Sequence, residues 1–389
     1  MIIKNALVYK EDEGFIKEDI YIRDDKIVED SQIGDQDQVL DGEGLYAIPG
    51  LTDIHFHGCV GYDFVDGTHQ ALENIALYQA SNGVTTICPT GMTLPEEELE
   101  SLYRNASTYE SKVGAILCGV HMEGPFISSG KKGAQNEKYI HKPDLNFYYK
   151  LQKASGNLIK ILTIAPEEEG ALEIISQLKD EVVISIAHTE ADYDTTMEAF
   201  RRGASHVTHL YNAMPPFTHR APGVIGAAFD TPGIYVELIT DGVHIHPSAV
   251  RVAFELFGED RIILISDSMM AAGMPDGDYT LGGQSVKVTG NKAVLSDGTL
   301  AGSVTNLMEC MKNCVLMMGI PLEQAVKCAT VNPAKSIGIY DSYGSITPGK
   351  IANIVLLDQD LNIKSVILKG RKLVPGTKQR QVASHHALC

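Results

Sequence analysis

Residues 182–214 read VVISIAHTEADYDTTMEAFRRGASHVTHLYNAM, and the order of residue types in this stretch decides the fold. Val182–His188 is a continuous apolar, β-branched run without polar alternation, the pattern of a strand buried on both faces. DYDTTMEAFRRG follows with helix signals and closes at Gly203. His206–Leu210 is then a second apolar run. Strand, helix and strand in this order make one parallel crossover unit. The pattern recurs outward in both directions. Apolar runs stand at Leu51–His55, Val84–Pro89, Ala115–Met122, Ile159–Ala165, Tyr235–Thr240 and Arg261–Ser266, which with the first two makes eight. Helical segments lie between them; Pro95, for example, opens the acidic stretch EEELESLYRNA. Eight such units predict a closed (β/α)8 TIM-like barrel. Several glycines in Asp276–Gly298 predict a β-hairpin inserted after the eighth strand.

The two ends of the chain read differently. Ile2–Tyr9, Asp19–Arg23 and Lys26–Glu29 are strand-like, as are Ile351–Leu357 and Ser365–Val374. Neither end can bury its apolar side alone, so the two are expected to pair into one small β module. The predicted organisation is therefore α/β: a barrel over residues 49–345, with a small β-sandwich built discontinuously from 1–48 and 346–380. The polar tail after Pro375 is expected to be loosely held.

Composition narrows the function. The 389 residues are 44% hydrophobic and 21% charged, which suits a protein with a sizeable core. A net charge of −18 argues against nucleic acid and against an anionic membrane surface. Seven cysteines without CxxC pairs suit a reducing compartment. No signal-peptide profile opens the chain and no apolar run nears a membrane span, so a soluble cytoplasmic protein is expected.

In a barrel of this type the chemistry gathers where the strands end. Strand one ends in DIHFHG, with His55 and His57 two apart and so on one side of an extended backbone. Strand three ends in HMEGPF with Glu123, strand five in AHT with His188, and strand six in THLYNAM with His209. Strand eight ends in SDS with Asp267. Imidazoles and carboxylates in this number suit Zn²⁺ or Fe²⁺ rather than Mg²⁺ or Ca²⁺. His121 and His206, inside strands, read as satisfied core residues, and no cysteine has the setting of a nucleophile. Asp267 reads as a candidate proton acceptor and donor, with a ligand or helix-cap role as the second reading.

The motifs HFHG, HMEGPF, AHT, THLYNAM, DGVH and ISDSM, in that order, resemble the N-acetylglucosamine-6-phosphate deacetylase family of the amidohydrolase superfamily. The likeness extends to the closing GSITPGKIANIVLLD, which resembles the superfamily's second β module. The lysine that bridges metals in cyclic amidohydrolases has no counterpart at the end of strand four, ILTIAP; Lys160 lies at that strand's beginning. The resemblance implies that Glu123, His188 and His209 hold one divalent metal, zinc or iron. His55 and His57 permit a second ion, with Glu123 bridging. For a phosphorylated amino sugar it implies contacts from Asn212, Ala213, Arg220 and His244, and a sugar-binding loop at Leu300, Ala301 and Gly302. It also implies a homodimer, with part of the phosphate site supplied by a neighbouring subunit.

One position departs from the family. After EGPF the family reads KG(A/T)HN, and its histidine helps hold substrate near the acetyl carbonyl. This chain has Ala134 followed by Gln135. A glutamine amide can donate a hydrogen bond but carries no charge, which opens N-acetylgalactosamine-6-phosphate as an alternative substrate. The remaining alternatives are an amidohydrolase for another N-acyl compound and a metal-binding protein without turnover.

Overall fold

The computed structural model describes residues 1–30 and 38–373. The strand expected to reach Val374, the tail after Pro375 and the last residues of the segment 346–380 lie in part or wholly outside the described residues. Two compact units are present: Met1–Gly50 with the chain from Ile346, and Leu51–Ser345.

In the first unit both chain ends share one eight-stranded sheet. Its order runs Arg371–Lys372, Ile363–Leu368, Ile354–Leu357, Tyr46–Pro49, Ile2–Lys10, Gly14–Arg23, Lys26–Val28. Val39–Asp41 pairs in parallel with Ile2–Lys10. Ile3, Val8, Ile20, Ile22, Ile354, Leu356 and Ile367 form its buried core. These side chains come from segments more than 300 positions apart, so neither end covers its apolar face by itself.

The second unit carries the eight parallel barrel strands. They are Leu51–Asp53, Val84–Ile87, a split third strand (Ile116–Leu117 and Val120–Glu123), Ile159–Ile164, Val183–Ile186, His206–Val207, Tyr235–Ile239 and Ile262–Ile265. The last six strands, from Val120–Glu123 to Ile262–Ile265, pair continuously in parallel. The ring closes beyond the strand ends, where Asp267 N–H donates to His55 O (2.9 Å) and His57 N–H to Ser268 O (2.7 Å).

The unit first read from the sequence shows why the alternation forms. Asp192 caps the helix Tyr193–Arg202 by accepting from Thr195 N–H, and Gly203 ends it at φ +121°. Thr196, Ala199 and Phe200, at i, i+3 and i+4, are its buried side. The sixth strand stops earlier than its apolar run, because His209 and Tyr211 adopt left-handed backbone (φ +31° and +78°). The insertion is a three-stranded antiparallel sheet rather than a hairpin: Gly277–Leu281, Gln284–Thr289 and Lys292–Val294. Its third strand was hidden in the sequence by its length of three residues. Among the described residues no helix is long and apolar enough to cross a membrane.

Candidate metal centre

Glu123 is the last residue of its strand; His188, His209 and Asp267 each lie two residues beyond theirs. All three of the latter have left-handed backbone, with φ of +45°, +31° and +48°. L-residues rarely adopt this conformation, and its cost is tolerated mainly where a side chain must be aimed. His55 lies two and His57 four residues beyond the first strand. Their spacing therefore acts through the exit loop, and both rings still face the same carboxylates.

The six groups converge. Oε1 of Glu123 lies 3.1 Å from Nε2 of both His188 and His209, which are themselves 3.1 Å apart. His55 Nε2 is 3.4 Å from Glu123 Oε1 and 3.6 Å from Asp267 Oδ1. His57 Nε2 is 3.5 Å from Glu123 Oε2 and 3.3 Å from Asp267 Oδ1. All six side chains are buried.

Backbone and carboxylate acceptors behind the rings fix which nitrogen faces inward. His188 Nδ1–H donates to Lys131 O (2.9 Å), His57 Nδ1–H to Thr90 O (3.2 Å) and His55 Nδ1–H to Glu237 Oε2 (2.9 Å). A neutral imidazole that donates from Nδ1 presents its lone pair at Nε2. Three rings thus turn Nε2 toward Glu123 and Asp267, where it carries either a proton donated to those carboxylates or, with an ion bound, a ligand lone pair.

Charge follows from this crowding. Burial raises the Glu123 carboxyl, but the neighbouring His55 and the hydrogen bonds from His188, His209 and His55 hold it well below the usual carboxylate range. Burial likewise raises Asp267, and the His57 hydrogen bond with the charges of His55 and His57 brings it down to about 2. Burial opposes a proton on His55, yet Glu123 and Glu237 keep its pKa well above the ordinary value. Proton and divalent metal compete for the same Nε2 lone pair, so a site that draws protons onto imidazoles is suited to a cation. Two triads, His55–His57–Glu123 and Glu123–His188–His209, bring their ligand atoms within 4.8 Å. The donor set of imidazole and carboxylate could hold a divalent metal ion.

The other sequence-selected residues are placed unevenly. Gln135 is buried, with Oε1 accepting Thr93 N–H (2.7 Å) and Nε2 donating to Glu123 Oε2 (3.0 Å). At least one of its amide hydrogens is therefore directed at Glu123 rather than outward. Ala134 O accepts from Gln284 of the inserted sheet. His244 Nδ1 pairs with Asp241 at 2.7 Å. Burial disfavours its charge, and Asp241, with Asp267 nearby, raises its pKa. Ala301 N–H donates to Ala293 O, and Ser303 N–H to Asp267 O (2.7 Å), so Leu300–Gly302 leads directly into the Asp267 exit. Asn212 uses its amide on His209 O and Leu210 O, and Ala213 O accepts from Thr189 N–H. Arg220 stands in an exposed run, 216–221, apart from the buried cluster.

Glu237 was missed by the sequence reading, although one signal was available: a carboxylate in the middle of the apolar run YVELI. His121 and His206 are fully buried inside the barrel; His121 Nε2 meets Thr163 Oγ1 at 2.7 Å.

Residues 46–373 match the amidohydrolase family. The chain is 42% identical to N-acetylglucosamine-6-phosphate deacetylase of Bacillus subtilis (strain 168), over 83% of each chain. It is 33% identical to N-acetylgalactosamine-6-phosphate deacetylase of Escherichia coli O157:H7, over 83% of this chain and 86% of that one. Among solved structures it superposes with a TM-score of 0.89 on a mutant N-acetyl-D-glucosamine-6-phosphate deacetylase from Mycobacterium smegmatis, in complex with N-acetyl-D-glucosamine-6-phosphate. That likeness is 30% identical in sequence and covers 96% of this chain and 99% of the other.

Proposed function

We propose that this chain, which belongs to the amidohydrolase family and within it to the N-acetylglucosamine-6-phosphate deacetylases, hydrolyses N-acetylglucosamine-6-phosphate to glucosamine-6-phosphate and acetate. The observation that carries the reading is the meeting of His55, His57, Glu123, His188, His209 and Asp267 at and just beyond the ends of five barrel strands. A structural role alone would not require six buried polar side chains to face one another.

Glu123, His188 and His209 would hold one ion; His55 and His57, with Glu123 between, would hold a second. Zinc and iron are the metals this donor set favours. A divalent ion bound there supplies Lewis acidity, polarising the acetyl carbonyl and acidifying water. Asp267, ionised and flanked by His57, accepts the proton of the attacking water and returns it to the sugar nitrogen as the C–N bond breaks. His244, held by Asp241, donates from its outward face to substrate oxygen. Asn212, Ala213 and Arg220 surround the phosphate, and Ala134, Gln135 and Leu300, Ala301 and Gly302 line the sugar. The exposure of Arg220 agrees with a phosphate site completed by a neighbouring copy in a homodimer. The net charge of −18 and the six free cysteines among the described residues suit the cytoplasm. The shared core of the end module supports its reading as a sandwich folded on itself.

Acetate release from the 6-phosphates of N-acetylglucosamine and N-acetylgalactosamine, measured side by side with Zn²⁺- and Fe²⁺-loaded protein, tests the proposal. The gluco compound is expected to be preferred. Preference for the galacto compound would transfer the assignment to that sugar, a reading favoured by Gln135 and by the Escherichia coli relative. Silence on both with metal bound would defeat both.

A further inference from the structure

Barrel interiors are usually filled by branched apolar side chains. This one places Glu237 in its seventh strand, Tyr235–Ile239, with 0% exposure. A buried carboxylate is expensive unless it is paired and hydrogen-bonded. Oε2 of Glu237 accepts from His55 Nδ1–H at 2.9 Å and from the backbone N–H of His209 at 3.1 Å. Its Oε1 lies 3.5 Å from Nε2 of His206, and the His121 ring packs edge-on against His55 with centroids 4.7 Å apart. One carboxylate oxygen therefore joins a ring of the first strand's exit to the backbone of the sixth strand's exit.

We infer that Glu237 is a positioning residue of the metal centre: it sets His55 as an Nε2 ligand and ties that ligand to the backbone of His209. The inference rests on the two-ion reading above. The rings are not equivalent. His57 and His188 donate their Nδ1–H to neutral carbonyls, of Thr90 and Lys131. His55 donates to a carboxylate, which makes its Nε2 the stronger donor and holds the ring by a charge-assisted bond. The second contact acts on geometry. His209 sits at φ +31°, a conformation its own side chain does not favour, and the bond from its N–H to Glu237 helps hold it there. Loss of the carboxylate charge weakens the ion at His55 and His57 most and leaves the ion at His188 and His209 nearly as it was.

Apo protein is titrated with Co²⁺ and with Zn²⁺ against a competing chelator, for wild type, Glu237→Gln, His55→Gln and the double variant. Wild type is expected to take up two ions. Glu237→Gln, nearly isosteric, should weaken the second by 10- to 100-fold, the usual effect of removing such a partner, and the first by less than threefold. It should also alter the Co²⁺ absorption of the second ion, and add nothing once His55 is replaced. Uptake of one ion by wild type overturns the two-ion reading, and the inference with it. Two ions in wild type and unchanged affinity in Glu237→Gln overturn the inference alone. Should Glu237→Gln not fold, nitrogen-15 spectra of the zinc-loaded wild-type histidines decide: a proton on Nδ1 of His55 is expected, and a ring protonated on Nε2 alone refutes.

Discussion

Gln135 Nε2 stands 3.0 Å from Glu123 Oε2, and the orientation of the amide is forced from its other side by Thr93 N–H, 2.7 Å from Oε1. An N–H donor can meet only the amide oxygen, so the amide nitrogen must face the carboxylate. Gln135→Leu removes the hydrogen bond and leaves Thr93 N–H unpaired. Gln135→Glu sets two carboxylates against each other and should be worse. A hydrogen bond to a charged group contributes about 1.5–3 kcal/mol, so Gln135→Leu should lower metal affinity or kcat/KM roughly 10- to 100-fold. Equal losses in the two variants would show that this contact does not govern Glu123.

Asp267→Asn keeps the shape of the side chain and removes its basicity. Turnover is expected to fall by about 10² to 10⁴, the usual contribution of a general acid–base group. One equivalent of metal should remain, because Glu123, His188 and His209 are untouched. Retained turnover with metal bound would return Asp267 to a ligand or structural role.

Removal of metal by chelation should abolish acetate release and lower the thermal midpoint. An ion that binds only the folded chain stabilises it by about 2.7 kcal/mol at a concentration 100 times its Kd. Readdition of Zn²⁺ or Fe²⁺ should restore both properties together. Activity that survives exhaustive chelation, checked by metal analysis, would rule out metal-dependent hydrolysis.

Gly302 has φ +68°, and a Cβ there would lie 3.0 Å from the carbonyl of Asp267. Gly302→Ala combines unfavourable backbone with a contact that presses on Asp267, and should cost about 1–3 kcal/mol. Urea unfolding measures the loss. Stability equal to wild type would show that the loop relaxes without strain.

Asp63 is buried, and its carboxyl is raised to about 6 by that burial, against the opposing charge of His57 and the Val65 N–H. The fold favours the protonated form. This stabilisation is complete below the unfolded value near 3.9 and is lost as pH rises through about 6, a change of about 2–3 kcal/mol. Asp63→Asn can still cap the following turn, where Asp63 Oδ1 accepts Val65 N–H at 3.0 Å. Relative to wild type, the variant should therefore gain stability between pH 4 and pH 7. Parallel pH profiles from urea unfolding would refute the buried charge.

Much of the fold was legible because it depends on local order. The apolar run Val182–His188, the helix closed by Gly203 and the run from His206 specify a parallel unit without reference to the rest of the chain. The same order put His55, Glu123, His188, His209 and Asp267 at strand ends, where such a barrel gathers its chemistry. The third strand of the insertion was not legible. At three residues, Lys292–Val294 is shorter than any pattern can mark, and it exists because Gln284–Thr289 offers it a paired edge.

What the sequence determined by itself was which imidazoles and carboxylates stand at the strand ends, since residue type and spacing carry that information. What only the tertiary structure decided was how each is held. Lys131 supports His188 through a carbonyl every residue possesses, and Thr90 does the same for His57. Glu237 lies 182 positions from His55 and meets it only because the barrel closes. Hydrogen-bond geometry fixes which nitrogen carries the lone pair, and that geometry arises from strand register across the ring, which no local stretch of sequence encodes.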